Sequence, residues 1–260
     1  MGSISDYLEN ELLDHVMGVG AYTPPSTVYI GLSTADPTDD ASGLAEPSGN
    51  NYARESLSFN AAASRKVENA SQITFNQASG AWGTITHYAL FDALSGGNML
   101  AHGSLSTPKE VVSGNTPSIA AQEVDVEFSS GEISNYLALA LLDFAFRNVS
   151  YSQPTIYAGL ATANLADDTT GSTVTEVSGN NYSRKAHSAW SAASGGATDN
   201  TGAVTFDTPS GSWGTVTAAF LADAASAGNI LFYENTITEQ EPGNGDTVQF
   251  PDGDLDISIS

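Results

Sequence analysis

The chain has 260 residues, 40% of them hydrophobic and only 14% charged, a balance expected of a folded, core-burying protein rather than a disordered acidic one. Thirty acidic residues against seven basic ones leave a formal charge of −23. Such a field repels phosphate backbones and anionic lipid headgroups, so direct nucleic-acid binding is not expected, and it favours divalent cations and basic partners.

From the start of the chain, the segment Met1-Gly2-Ser3-Ile4-Ser5-Asp6 lacks the basic and apolar regions of a signal peptide, so a standard secretion signal is not expected. Apolar Tyr7, Leu8, Leu12, Leu13 and Val16 recur at helical spacing and predict a helix over 5–16, capped by Ser5 or Ser3 and ended by Gly18 or Gly20. After Pro24-Pro25 the pattern becomes that of strands, first over 27–33 and then at 73–75. A further strand over 84–92 meets the turn Ser95-Gly96-Gly97-Asn98 and returns as a hairpin over 99–105. The last segment of this half, 118–128, alternates through Ile119, Val124, Val126 and Phe128. A long polar loop, 35–51, interrupts the strands, and a second stands at 163–181. Loops of this length are expected to be binding or flexible segments. The second half opens with a helix predicted over 133–146, apolar on several faces. Its run from Leu137 to Phe146 falls short of the roughly 20 residues of a membrane span and is interrupted by Asp143, so it is expected to pack between two domains.

The halves repeat one another at a period of about 130 residues. Thr27-Val28-Tyr29-Ile30-Gly31-Leu32 returns as Thr155-Ile156-Tyr157-Ala158-Gly159-Leu160. Ser48-Gly49-Asn50-Asn51-Tyr52 with Arg54 returns as Ser178-Gly179-Asn180-Asn181-Tyr182 with Arg184. Ser79-Gly80-Ala81-Trp82-Gly83-Thr84 returns as Ser210-Gly211-Ser212-Trp213-Gly214-Thr215, and Gly97-Asn98-Met99-Leu100 as Gly228-Asn229-Ile230-Leu231. The expected fold is mainly β: two tandem sandwich-like or barrel-like domains, 1–129 and 130–260, each preceded by an α-helix, with the linker near Ser129-Ser130-Gly131.

The pattern resembles a family of tailed-phage virion structural proteins commonly labelled tail fibre proteins. The resemblance runs from Ser5-Asp6-Tyr7-Leu8-Glu9 and Leu12-Leu13-Asp14-His15, through Val28-Tyr29-Ile30-Gly31-Leu32-Ser33-Thr34-Ala35-Asp36-Pro37 and Asn51-Tyr52-Ala53-Arg54, to Trp82-Gly83-Thr84-Ile85-Thr86-His87-Tyr88-Ala89-Leu90-Phe91-Asp92 and Gly96-Gly97-Asn98-Met99-Leu100. The second half departs from it, with Ala222 in place of Phe91 and Ala218 in place of His87, and the tandem arrangement departs from the single-unit form. The resemblance implies particle structure without chemistry.

The residues themselves point the same way. With no cysteine, disulfides, thiolate nucleophiles and cysteine-based zinc sites are excluded. Of His15, His87, His102 and His187, none is kept in both halves, and no nucleophile elbow or paired-histidine motif occurs, so no catalytic residue and no cofactor are expected. Asp36, Asp39 and Asp40 in the first loop, and Asp167 and Asp168 in the second, read as solvated charge, with calcium ligation or partner contact as the alternatives. The alternating Asp252, Asp254 and Asp256 read as the solvent face of an edge strand. Trp82 and Trp213, kept in one context, read as packing residues. Trp190, opposite Ala61 or a neighbour and so unmatched, is the candidate partner contact if exposed. Arg54 and Arg184 read as internal salt bridges beneath the loops, with contact to an acidic neighbour as the alternative.

The expected function is that of a virion component assembled in the host cytoplasm, a homo-oligomer contacting other virion proteins without membrane insertion. A tail-associated role, as fibre, tail tip or adaptor, is expected first. A capsid decoration protein and a carbohydrate-binding module meeting a host surface glycan or receptor are the alternatives.

Overall fold

A computed structural model describes residues 2–128 and 132–259, so the expected linker at Ser129-Ser130-Gly131 lies outside the described residues. The first repeat runs β1 (Gly2–Ile4), α1 (Asp6–Met17), β2 (Val28–Ser33), β3 (Glu55–Leu57), β4 (Lys66–Glu68), β5 (Ile73–Thr74), β6 (Gly83–Phe91), β7 (Met99–Val111), β8 (Ser118–Ile119) and β9 (Asp125–Glu127). The second runs α2 (Asn135–Arg147), β10 (Ile156–Ala161), β11 (Lys185–His187), β12 (Ala197–Thr198), β13 (Val204–Thr205), β14 (Ala218–Ala222), β15 (Ile230–Glu234), β16 (Gln249–Phe250) and β17 (Ile257–Ser258). The fold is mainly β, with one helix opening each repeat, as the sequence predicts.

One antiparallel sheet, in the order β1-β7-β6-β2-β3, forms the first repeat. Its counterpart is β11-β10-β14-β15, and neither sheet closes into a barrel. Register fixes the equivalences: Leu32 faces Tyr88 as Leu160 faces Ala219, and Tyr88 faces Gly103 as Ala219 faces Glu234. Two-stranded ribbons, β4-β9 and β5-β8 in the first repeat and β12-β17 and β13-β16 in the second, complete each unit.

The single strand predicted over 118–128 is in fact two, β8 and β9, which pair with different partners. The break falls where Gln122 takes a left-handed φ of 65° and the buried Asn69 accepts from Val124 N at 2.9 Å through Oδ1. A side-chain amide has replaced the ladder there.

The first helix starts on the predicted cap, Ser5, and the second on its counterpart, Ser134. Ser5 Oγ accepts from Leu8 N at 3.3 Å and donates to Met99 O, and Ser134 Oγ accepts from Leu137 N at 3.1 Å and donates to Ile230 O at 2.6 Å. Each cap therefore satisfies an orphan helix N–H and pins the helix to the start of its own β7 or β15. Gly18 and Asn148 end the helices in the left-handed region.

Each helix also reaches the other repeat, α1 touching β12 and α2 touching β4. Asp14 Oδ1 accepts from Ala193 N at 2.7 Å, and its counterpart Asp143 Oδ1 accepts from Ala62 N at 2.8 Å. These are the same bond made twice, once in each direction, so the repeats are related by a local two-fold. Leu8, Leu12 and Leu13 of α1 and Leu137, Leu141 and Leu142 of α2 are essentially fully buried in one core that runs through both repeats. The packing of α2 between domains, expected from its apolar circumference, is what the structure shows, and α1 does the same.

The opposite face of each sheet is covered as well. Ala41 and Leu44 of the first long loop pack on Ala89, Phe91 and Met99, and Leu165 and Val174 of the second pack with Phe220 and Ile230. The loops are thus a third layer over the sheet rather than free excursions.

Candidate functional site

The motif kept twice most completely builds a clasp. Trp82 Nε1 donates to Asn50 O at 2.9 Å, and Trp213 Nε1 to Asn180 O at 3.0 Å. Each indole meets its neighbouring tyrosine edge-on, Tyr52 at 5.2 Å and Tyr182 at 5.3 Å. Asn50 and Asn180 take left-handed backbone angles and return their side-chain amides to Ala81 O and Ser212 O. A Cβ on Gly80 would stand 2.5 Å from Asn50 Oδ1, which explains why glycine precedes this tryptophan in both copies. Both tryptophans are buried packing residues, as read from their context.

Arg54 and Arg184 lock the loops to the sheet. Arg54 Nη2 meets Glu46 Oε2 at 2.6 Å, while Nη1 donates to Ala93 O and Gly96 O at 2.9 and 2.7 Å. Arg184 repeats this with Glu176 at 2.8 Å and the carbonyls of Ala224 and Ala227. The internal reading of these arginines is the one the structure shows. Burial pushes the Tyr52 and Tyr182 phenols upward; each donates to the same glutamate that its arginine holds.

An aromatic ring lies under each guanidinium, but from different positions. Arg54 sits 3.3 Å over the Phe91 ring, and Arg184 5.0 Å over Phe220, the counterpart of Ala89. The second repeat, with Ala222 at the Phe91 position, has moved its ring two residues along the same strand face.

The loop aspartates divide by task. Asp39 Oδ1 lies 2.9 Å from His102 Nε2, and Asp36 Oδ1 lies 3.8 Å from His102 Nδ1 and 3.9 Å from His87 Nε2. Asp40 accepts from the Thr38 hydroxyl at 2.6 Å and from Ser42 N at 3.0 Å, bonds that hold its carboxyl down at about 2. In the second loop, Asp167 takes the hydroxyl of Tyr233, the counterpart of His102, and lies 3.7 Å from Arg65 Nη1. Asp168 is exposed. The structure therefore gathers Asp36, Asp39, His87 and His102 on one patch and leaves Asp168 apart. Among the described residues, no group of three or more His, Cys, Asp or Glu side chains is placed to hold a metal ion.

Trp190 does not meet the condition set for it. It is only 7% exposed and packs edge-on against His187 at 5.2 Å. Its counterpart is Phe59 rather than Ala61, because Trp190 bridges Asn200 as Phe59 bridges Asn69. One extra residue near Ser188 shifts the alignment and hides the match.

Buried clasps kept twice, two covered sheets and one shared core define a tandem β-rich structural protein. The chain belongs to the family of the podophage GP4 fiber I protein gp80, whose model matches residues 3–127 and again 132–258. Comparison with curated proteins finds no match. Membership makes the chain a phage virion component with a structural role, in contact with other virion proteins. Among the described residues, no helix is long and apolar enough to cross a membrane.

Proposed function

We propose that the chain is a non-enzymatic, tail-associated component of the particle, a fibre, tail-tip or adaptor protein that works through protein–protein contacts as a homo-oligomer. The observation that carries this reading is the fusion of two fibre-family units around one continuous core. Such a fusion fixes the two units rigidly, so each chain offers a paired acidic surface to its neighbours. The residues kept twice are bonded to one another inside each unit, which supports a structural rather than a chemical task.

A cryo-EM map of the intact particle tests the location. Density confined to the tail or its tip is the expected result; density spread over the icosahedral shell would replace this reading with that of a decoration protein. Host contact is tested separately by glycan-array binding. Hydrolysis of a host polysaccharide that vanishes with a single carboxylate would overturn the non-enzymatic part.

A further inference from the structure

The two repeats differ at one paired position in the middle of the sheet. In the first, the Tyr88 ring lies against Gly103, only 2% exposed, and its hydroxyl donates to Asp125 O at 3.0 Å. A Cβ on Gly103 would stand 2.5 Å from that hydroxyl, so tyrosine and glycine go together. In the second repeat the pair is Ala219 and Glu234. The ring is gone, and a cleft of about 200 Å³ lies beside Ala219. Phe232, Phe250, Leu255 and Ile257 give it apolar walls. Glu132, Glu234, Asp254 and Asp256 stand around it, and no basic residue lines it. The matching hollow of the first repeat is broader, about 630 Å³, and there Glu123 and Asp125 share the lining with Tyr88 and a lysine, Lys109.

Lys109 is the second half of the observation. Arg54, Arg65, Lys66, Arg147, Arg184 and Lys185 each pair with a carboxylate within the chain. Among the described residues, Lys109 is the one lysine or arginine with no such pair, and it is exposed on β7, opposite Ile85 of β6. Its counterpart in the second repeat is Gln240, which bridges Val216 as Lys109 faces Ile85. The unpaired cation therefore belongs to the first repeat alone, and of the two matching clefts only that of the second repeat has acidic residues with no basic one among them. An alkylammonium side chain suits such a cleft, with its methylenes against the apolar walls and its charge at the carboxylates.

We propose that copies of this chain associate head to tail, Lys109 of one copy entering the cleft beside Ala219 of the next. A contact between two different surfaces generates a ring when its rotation closes and a filament when it does not. The proposal rests on the homo-oligomer part of the function proposed above and gives it a contact.

The test is the sedimentation of the full chain at low and high salt. The expected result is a concentration-dependent oligomer that Lys109→Glu weakens by roughly tenfold or more. The double change Ala219→Tyr with Glu234→Gly puts a phenol ring at the cleft wall and removes one of its carboxylates, and should weaken association equally. Unchanged circular dichroism and melting in both variants would show that the fold is intact. Pairing Lys109→Glu with Asp254→Lys and Asp256→Lys should restore association. An oligomer indifferent to Lys109→Glu overturns this contact while leaving the homo-oligomer standing. A monomer at all concentrations overturns both, and hexylammonium binding to that monomer would give the cleft to another partner.

Discussion

His15 and Phe144 occupy the same position in the two repeats, and they lie ring against ring with 4.7 Å between centroids. The local two-fold passes between them, so each ring meets its own counterpart. Tyr22 N donates to His15 Nδ1 at 3.2 Å, which puts the proton on Nε2, where it is directed at Tyr151 O at 3.0 Å. Tyr22 and Tyr151 are themselves counterparts. The joint between the repeats is thus an aromatic stack held by hydrogen bonds to the backbone of both. Phe144→Ala should cost about 3–5 kcal/mol, the range for deleting a buried aromatic ring. Because one core serves both repeats, the variant should still unfold in a single transition, with tryptophan fluorescence and circular dichroism coinciding in a urea titration. Two separated transitions would show that the repeats are independent.

Glu9 provides a pH signature of the same joint. Its side chain is buried against Gly196 of the second repeat, and its pKa is pushed up to about 7, first by burial and then by Asp6 and Asp39. A carboxyl whose folded pKa lies above its unfolded value of 4.5 binds more protons when folded. Its stabilising contribution is present below pH 4.5 and is lost as pH rises through about 7. Glu9→Gln should therefore leave stability unchanged near pH 4 and raise it at pH 8, by about 1–2 kcal/mol after discounting for solvent screening. Urea midpoints at the two pH values check the sign.

Much of this was legible in the sequence, because duplication doubled every signal. Arg54 and Arg184 as internal pins and Trp82 and Trp213 as packing residues follow from what both copies keep, and Ser5 as a cap follows from the helical spacing after it. What was not legible has physical causes. The reciprocal bonds from Asp14 to Ala193 and from Asp143 to Ala62 join residues 179 and 81 positions apart, beyond the reach of any periodicity. The Phe59–Trp190 match was hidden by one inserted residue, since a strand position is assigned by counting in twos. The long polar loops read as binding or flexible segments, although apolar residues such as Leu44 and Leu165 pack them onto the sheet.

The relocated ring under the arginine makes a testable pair. Gly31 and Gly159 leave room for it: a Cβ on Gly159 would stand 2.2 Å from the Phe220 ring, and one on Gly31 3.1 Å from Phe91. Phe91→Ala should destabilise the protein by about 3–5 kcal/mol through cavity formation and loss of the cation–π contact. Ala89→Phe added to it recreates the arrangement of the second repeat and should recover most of that loss. Thermal melts of the two variants decide it; no recovery in the double variant would mean that the two positions do not substitute for each other.

The Arg54–Glu46 pair should be the strongest single fastening of the first loop. The guanidinium is only 8% exposed, and it satisfies two hairpin carbonyls as well as the carboxylate. Removing it leaves Glu46 a poorly solvated charge, and breaking a buried pair from one side costs about 3–5 kcal/mol. Arg54→Ala should fall in that range. Glu46→Gln should cost less, because the arginine keeps Ala93 O and Gly96 O and the amide can still accept from it. Arg54→Lys should behave more like the alanine variant, since an ammonium cannot span carboxylate and carbonyls in one plane. Hydrogen exchange measured across residues 35–51 should speed up in the arginine variants before global unfolding does, because the ion pair fastens Glu46 of that loop to the sheet and hairpin. Exchange unchanged there would mean that Leu44 and Ala41 hold the layer without the ion pair.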